Sequence, residues 1–270
     1  MTQTKSISSV AVDKPITGHL KTWGVWERLV PEAIGQDASS QSALEIHLKR
    51  YVTAGHYVIG KKVLDIASGT GFGSKMLKDI GAEQVIGVDI APESIAYAEE
   101  RYGTPGVSFH QADAEKFEWP ELFDVVVTYE TIEHVPHPDL FLNRLRQLIR
   151  PDGQLFLSVP LGETRHIDPY HLHAFDQEGI FQLIEAAGFD LQAYRVEPWK
   201  CTRKDAQQMR KSNPGTMASL RDLLFSARGR RVLRDYATKG CVSWDWLLVQ
   251  ATPRPAGQAC VRGSLKSLDA

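Results

Sequence analysis

Between Lys62 and Val159 the chain alternates short apolar runs with amphipathic stretches, and few folds can absorb that rhythm. Val63–Ala67, Gln84–Asp89, Val107–His110, Phe123–Thr128 and Gln154–Val159 are the apolar runs. Runs this short, apolar throughout and bounded by turn residues, suit strands buried on both faces. Lys75–Ile80 closes at Gly81, Glu93–Arg101 follows Pro92, and Leu140–Ile149 is a third amphipathic segment, so each reads as a helix. Strand and helix in alternation predict a parallel sheet with helices on both faces, an α/β doubly wound fold. Upstream, Ser40–Ala54 has helical spacing and ends at Gly55. Downstream, Gln177–Ala187 predicts a helix closed by Gly188, and Phe189–Val196 and Val242–Thr252 predict the last two strands. No internal repeat is visible.

With 270 residues, 43% hydrophobic and 24% charged, the chain has enough apolar material for one core with additions, which excludes a disordered tail or a disulfide scaffold. Cys201, Cys241 and Cys260 are odd in number and lack metal-ligand spacing, which points to a reducing, cytoplasmic setting. No window approaches the roughly 20 apolar residues of a membrane span, so no membrane partner is expected. Met1–Pro15 is polar and Ser-rich and reads as a mobile leader. One stretch departs from the average: residues 198–240 hold eleven Lys or Arg against three Asp, a net +8 in a chain of net −2. Asn213-Pro214-Gly215 marks a turn there, and Met217–Tyr236 has a helical apolar period. This basic helical insertion reads either as a solvated pair covering the sheet edge or as a rim facing an anionic substrate.

The first apolar run ends in an acid and enters a glycine-rich turn, Asp65-Ile66-Ala67-Ser68-Gly69-Thr70-Gly71-Phe72-Gly73-Ser74. In a doubly wound sheet that turn lies at the carboxyl edge, where ligands bind. Phosphate, dinucleotide and adenosyl ligands all use such turns, but a dinucleotide fingerprint calls for Gly or Ala at position 74 and this chain has Ser74. Asp89 ends the second run, where a carboxylate can accept both hydroxyls of a ribose. Asp113 follows the third, where a carboxylate can accept from an adenine amine. Three acids at successive strand ends suit a positively charged reactive group better than a pyrophosphate.

In combination these segments resemble the class I S-adenosylmethionine-dependent methyltransferases over about residues 62–160. Val63–Gly71 looks like the first motif, Val88-Asp89 the second, Ala112-Asp113-Ala114 the third and Phe123–His134 the fourth; Leu148–Gly153 looks like the turn before the fifth strand. The resemblance implies a Rossmann-like sheet of seven strands, the last antiparallel. It implies that Asp65, Ala67, Gly69 and Gly71 line the methionine and ribose, that Asp89 and Ile90 hold the ribose side, that Asp113 and Ala114 meet the adenine, and that Tyr129 sits beside the sulfonium. The organisation expected is a leader with lid helices over residues 1–55, an S-adenosylmethionine-binding core over 56–197, the insertion as a substrate lid over 198–240, and a last strand and tail over 241–270. Arg28-Leu29-Val30-Pro31-Glu32 is similar to a short N-terminal motif of bacterial members linked to glycan or secondary-metabolite pathways.

A methyl acceptor that begins as a hydroxyl or an ammonium needs a base near neutral pKa, and histidine is the usual choice. His134, His137, His166, His171 and His173 fall within forty residues, five of the chain's nine histidines, and border the expected transfer site. His134 and His171, with Glu130, are the candidate catalytic residues, and Asp168 and Tyr170 share the second loop. Glu130, Glu133 and His134 stand at i, i+3 and i+4, so on one helical turn they would offer a divalent ion such as Mg2+ three ligands from one face. The Glu-x-x-Glu-His segment is similar to the metal-binding segment of ubiquinone-pathway O-methyltransferases and of small-RNA terminal methyltransferases; other relatives use such a pair only to hold the loop. Trp23, Trp26 and the helix near Tyr51 read either as a cofactor lid or as edge packing. The function expected is methyl transfer to an oxygen or nitrogen of a small-molecule acceptor, anionic if the basic stretch faces it. Two other classes compete. An RNA methyltransferase or RNA-binding module would use the basic stretch, though nucleic acid is disfavoured by its lack of interleaved aromatics. An NAD-binding oxidoreductase is disfavoured by Ser74. Oligomeric state is not legible.

Overall fold

The computed structural model describes residues 29–34, 38–162, 170–202, 204, 230, 234 and 237–268. A 3-10 turn at Pro31–Ala33 precedes α1 (Ala38–Gly55), β1 (Lys62–Ile66), α2 (Phe72–Ile80), β2 (Gln84–Asp89), α3 (Pro92–Tyr102), β3 (Val107–Gln111), β4 (Phe123–Tyr129), α4 (Pro138–Leu148), β5 (Ile149–Pro160), α5 (Gln177–Ala186), β6 (Phe189–Thr202), β7 (Cys241–Pro253) and β8 (Lys266–Ser267). The strands form one sheet in the order β3-β2-β1-β4-β5-β7-β6-β8. β1 to β5 are parallel, and β7 runs antiparallel to both β5 and β6. The chain winds outward from β1 to β3, then returns to lay β4 on the other side of β1. That reversal opens a crevice at the carboxyl ends of β1 and β4.

Side chains alternate across each strand and build a core on each face of the sheet. Val63, Val125 and Val127 pack with Tyr51 and Ala54 of α1, Leu77 of α2 and Ala98 of α3. On the other face Leu64, Ile66 and Val126 pack with Phe141, Leu142 and Leu145 of α4 and Ile180 and Ile184 of α5. Pro92 and Pro138 stand in the first turns of their helices, where a missing N–H costs nothing. Asp176 caps α5 by accepting from the Gly179 amide at 2.7 Å.

The sheet has eight strands, one more than the seven expected. β8 pairs parallel with β6 through only two residues, and the Leu268 amide donates to the Tyr194 carbonyl; backbone pairing, with no apolar run to advertise it, makes this strand. The antiparallel strand expected last is therefore β7, followed by one more. β6 and β7 also run longer than their apolar cores, pairing to Thr202 and Cys241, so residues 198–202, expected as the start of the insertion, are strand. Most of residues 203–240, and with them the helical period at Met217–Tyr236, lie outside the described residues, as do Met1–Arg28, Trp23, Trp26, His166 and Asp168. Among the described residues no helix is long and apolar enough to cross a membrane.

Candidate active site

The glycine-rich turn leaves β1 through three left-handed residues, Ala67 (φ 63°), Gly69 (φ 55°) and Gly71 (φ 85°). The two glycines differ in what surrounds them. A Cβ on Gly71 would come within 2.7 Å of Ala98 and of the Phe109 ring, so this glycine lets α2 close on α3 and β3. A Cβ on Gly69 would meet nothing within 4 Å. Gly69 thus presents bare backbone to open space, as a site for close approach requires.

Asp89 ties the turn to the end of β2. One carboxylate oxygen accepts from the Gly69 amide and the other from the Ala91 amide, both at 2.9 Å. A carboxylate offers about four acceptor positions. Beside it Ile90 is 62% exposed, an apolar surface next to the polar end of the strand. The Asp89 carbonyl accepts from Ala112, linking the third loop to the second. Asp113 accepts from the Glu115 amide at 3.0 Å and pairs with Lys116 at 2.9 Å, and the Lys116 bond holds its pKa below the usual carboxylate range. Ala114 packs against the core beneath it.

Asp65 is placed differently from the other two acids. It is buried, accepts from Ser74 Oγ at 2.6 Å, and lies 3.3 Å from the Tyr51 hydroxyl of α1. Burial pushes its pKa up to about 7, against the two hydroxyl donors. Ser74, the residue that argues against a dinucleotide, therefore holds Asp65 under the turn. Tyr51 packs edge-on against Phe72 and Tyr129, and a Cβ on Gly73 would fall inside its ring. Tyr129 is buried too, its hydroxyl donating to the Arg50 carbonyl at 3.1 Å.

A second contact reaches the turn from the N-terminal side. Thr70 Oγ1 donates to the Leu29 carbonyl at 2.7 Å, and Glu32 accepts from Tyr102 at 2.7 Å and from Tyr97 and Arg101 at 3.3 Å. Of the short N-terminal motif, Leu29 to Glu32 are thus a strap from the turn to α3; Arg28 lies outside the described residues.

Past β4 the geometry corrects an expectation. Glu130 does not share a helical face with Glu133 and His134: it precedes the turn in left-handed conformation (φ 51°). Its carboxylate accepts from Arg50 Nη1 at 2.8 Å and Ser158 Oγ at 2.7 Å. The residue that joins Glu133 and His134 is His171, with one potential ligand atom from each of the three within 4.8 Å of the others. The Glu133 carbonyl accepts from the Leu172 and His173 amides, which seats the second loop beside the turn. His134 Nδ1 lies 3.1 Å from the Tyr170 carbonyl, so the proton belongs on Nδ1 and Nε2, 3.8 Å from Glu133 Oε1, carries the lone pair when the ring is neutral. The His134 and His171 rings meet edge to face at 4.8 Å. His173 instead bonds the Val135 carbonyl, and His137 is exposed beside Glu115.

Sequence reasoning missed Arg50 entirely. This wholly buried guanidinium bonds Glu197 at 2.6 Å and Glu130 at 2.8 Å, and Arg195 bonds the other Glu197 oxygen at 2.8 Å. On a helix of weak amphipathic pattern an inward arginine looks like any surface arginine; only β6 and the β4 loop reveal its partners.

The stretch that carries the site is similar to known methyltransferase domains. Residues 64–157 match a family model described as a methyltransferase domain. The matched stretch carries the candidate site. It contains the turn, Asp89, Asp113 and the Glu130–His134 segment. The ubiquinone biosynthesis O-methyltransferase of Pseudomonas aeruginosa is 34% identical over 139 residues, 50% of this chain and 58% of that protein. The chain thus spans little more than half the length of such curated relatives. In fold, the chain resembles the YcgJ protein of Bacillus subtilis, with a TM-score of 0.64 at 18% identity over 78% of this chain and 100% of that one. Phosphoethanolamine N-methyltransferase 2 of Haemonchus contortus, solved with S-adenosyl-L-methionine, gives a TM-score of 0.54 at 18% identity over 77% of this chain and 53% of that one.

Proposed function

We propose that the chain binds S-adenosyl-L-methionine and transfers its methyl group to an oxygen or nitrogen of a small molecule. The observation that carries the reading is the pairing of an open left-handed Gly69 with Asp89, whose carboxylate orders the Gly69 and Ala91 amides beside exposed Ile90. In this reading Asp89 accepts the ribose hydroxyls and Ile90 covers the adenine, which Asp113 and Ala114 flank. Ala67 and Gly69 admit the methionine arm; Gly71, expected beside them, instead lets α2 close on α3 and β3, and Asp65 acts from below by fixing the turn through Ser74 and Tyr51. Tyr129 and Glu130 stand at the methyl end. Methyl transfer from a sulfonium is an in-line displacement in which alignment alone supplies about 7–11 kcal/mol.

His134 and His171 are the candidate bases. The same pair, with Glu133, would hold a divalent ion, which when bound lowers the pKa of an acceptor hydroxyl. Two imidazoles and one carboxylate suit a transition ion; Mg2+, expected at Glu130, Glu133 and His134, prefers oxygen ligands and loses Glu130 to Arg50. We assign the chain to the cytoplasm, a setting that suits the free, exposed Cys260. Calorimetry with S-adenosylhomocysteine tests the reading: one-to-one binding supports it, whereas saturable NADH binding with no response to S-adenosylhomocysteine refutes it.

A further inference from the structure

Residues 29–34 run as a strap between the glycine-rich turn and α3, with little structure of their own to hold them. Val30 precedes a proline and is extended (φ −112°, ψ 100°), as that position favours, and Pro31 opens a single 3-10 turn. What fixes the strap is contact. Val30 and Ile34 are buried, and the Glu32 side chain, 5% exposed, accepts from the Tyr102 hydroxyl at 2.7 Å and from the Tyr97 hydroxyl and Arg101 Nε at 3.3 Å. Burial, with the carboxylate beside them, pushes both phenols up, so both stay protonated. These partners all lie on α3, the helix that begins at Pro92, just past Asp89.

At its other end the strap meets Thr70. The Leu29 carbonyl accepts from Thr70 Oγ1 at 2.7 Å, and Thr70 is 1% exposed, so this bond serves where water does not reach. Thr70 sits between Gly69 (φ 55°) and Gly71 (φ 85°). Glycine takes left- and right-handed forms with similar ease, so a pair of them around one residue leaves the shape of the turn to be set by its contacts. Gly71 fits against Ala98 and Phe109 and donates to the Ser68 carbonyl, and Asp89 accepts from the Gly69 amide. Between these supports it is the strap that holds the Thr70 side chain, and the open space lies over Gly69, the residue next to it.

We propose that Glu32 and Thr70 are positioning residues for cofactor binding: Glu32 fastens the strap to α3, the strap's Leu29 carbonyl fixes the Thr70 hydroxyl, and Thr70 holds the adjoining Gly69 in the left-handed form that the ligand meets. Both act through the turn and not by touching the ligand. The inference rests on the methyltransferase reading for naming that ligand. Coupling between two sites is reciprocal, so whatever factor the docked strap adds to cofactor affinity, the cofactor returns as tighter docking of the strap.

Calorimetry with S-adenosylhomocysteine on the full chain, set beside thermal denaturation and hydrogen exchange of the Val30, Glu32 and Ile34 amides, is the test. Thr70→Val keeps the shape of the side chain and removes its hydroxyl; affinity should fall by about three- to tenfold, the scale of one hydrogen bond, and Thr70→Ser should restore it to within about twofold. Glu32→Gln should loosen the ligand by a similar factor, and the double variant by little more than either change alone, because both act through the Leu29 contact. In the wild type, which needs no variant to fold, saturation with S-adenosylhomocysteine should slow exchange at those amides by about the same factor. A lower Tm with unchanged affinity in Thr70→Val and Glu32→Gln, losses that add in the double variant, or strap exchange indifferent to the ligand would each overturn the proposal. A wild-type chain that does not bind S-adenosylhomocysteine would defeat the methyltransferase reading; the linkage of strap to turn then stands if each single variant still speeds exchange at those amides, and falls if either does not.

Discussion

Gly69 and Gly71 stand two residues apart, both left-handed, and the structure predicts opposite consequences for giving each a methyl group. Gly71→Ala would place its Cβ 2.7 Å from Ala98 and from Phe109, neither of which can move without shifting α3 or β3. A left-handed L-residue costs about 1–2 kcal/mol, and overpacking a core adds about 1–3 kcal/mol. The total, roughly 2–5 kcal/mol, should lower Tm by about 4–10 °C at this size. Gly69→Ala carries the backbone cost alone, about 1–2 kcal/mol and a few degrees, because nothing lies within 4 Å of the added atom. Its methyl group would instead fill the space assigned to the cofactor, so S-adenosylhomocysteine affinity should fall by more than about tenfold. Thermal denaturation with and without ligand, together with calorimetry, separates the two effects. If Gly69→Ala binds S-adenosylhomocysteine like the wild type, the open space over Gly69 is not where the cofactor lies, and the site is misassigned.

Asp89→Asn keeps the size of the side chain but turns an amide NH2 toward the Gly69 or Ala91 N–H. S-adenosylhomocysteine affinity should drop by about 1.5–3 kcal/mol, read by calorimetry; no drop would remove Asp89 from the ribose. Asp65 carries a pH signature. Its pKa rises from 3.8 unfolded to about 7 folded, so the native state holds a proton that the unfolded chain has released, and stability declines as pH climbs between those values. Asp65→Asn cannot ionise, so its Tm should exceed that of the wild type above about pH 7.5 and match it near about pH 4; a constant Tm difference across that range would contradict the buried charge. His134→Ala should cut methyl transfer by about 10²–10⁴-fold while S-adenosylhomocysteine affinity stays within about threefold. Equal losses in both would return His134 to a structural role.

Much of this architecture can be read from local pattern. The strand ending at Asp89, the helix after Pro92 and the glycine-rich turn declare themselves because period, proline position and glycine spacing are properties of neighbouring residues. What escapes is what depends on distant chain segments. β8 exists because Leu268 and Tyr194 share a backbone bond, which no side-chain pattern encodes. Local spacing puts Glu130 on a helical face, yet an αL residue at the strand end and an arginine eighty positions upstream take it elsewhere. His171 is legible as a lone candidate base; its meeting with Glu133 and His134 requires the second loop to dock on the Glu133 carbonyl.

Crystallisation with S-adenosylhomocysteine tests the central claim most directly. The account predicts the ribose hydroxyls on the Asp89 carboxylate, the adenine against Ile90 and the sulfur near Tyr129, over a bare Gly69. Density for the ligand at any other place, or crystals in which a nicotinamide nucleotide and not S-adenosylhomocysteine fills that crevice, would contradict it.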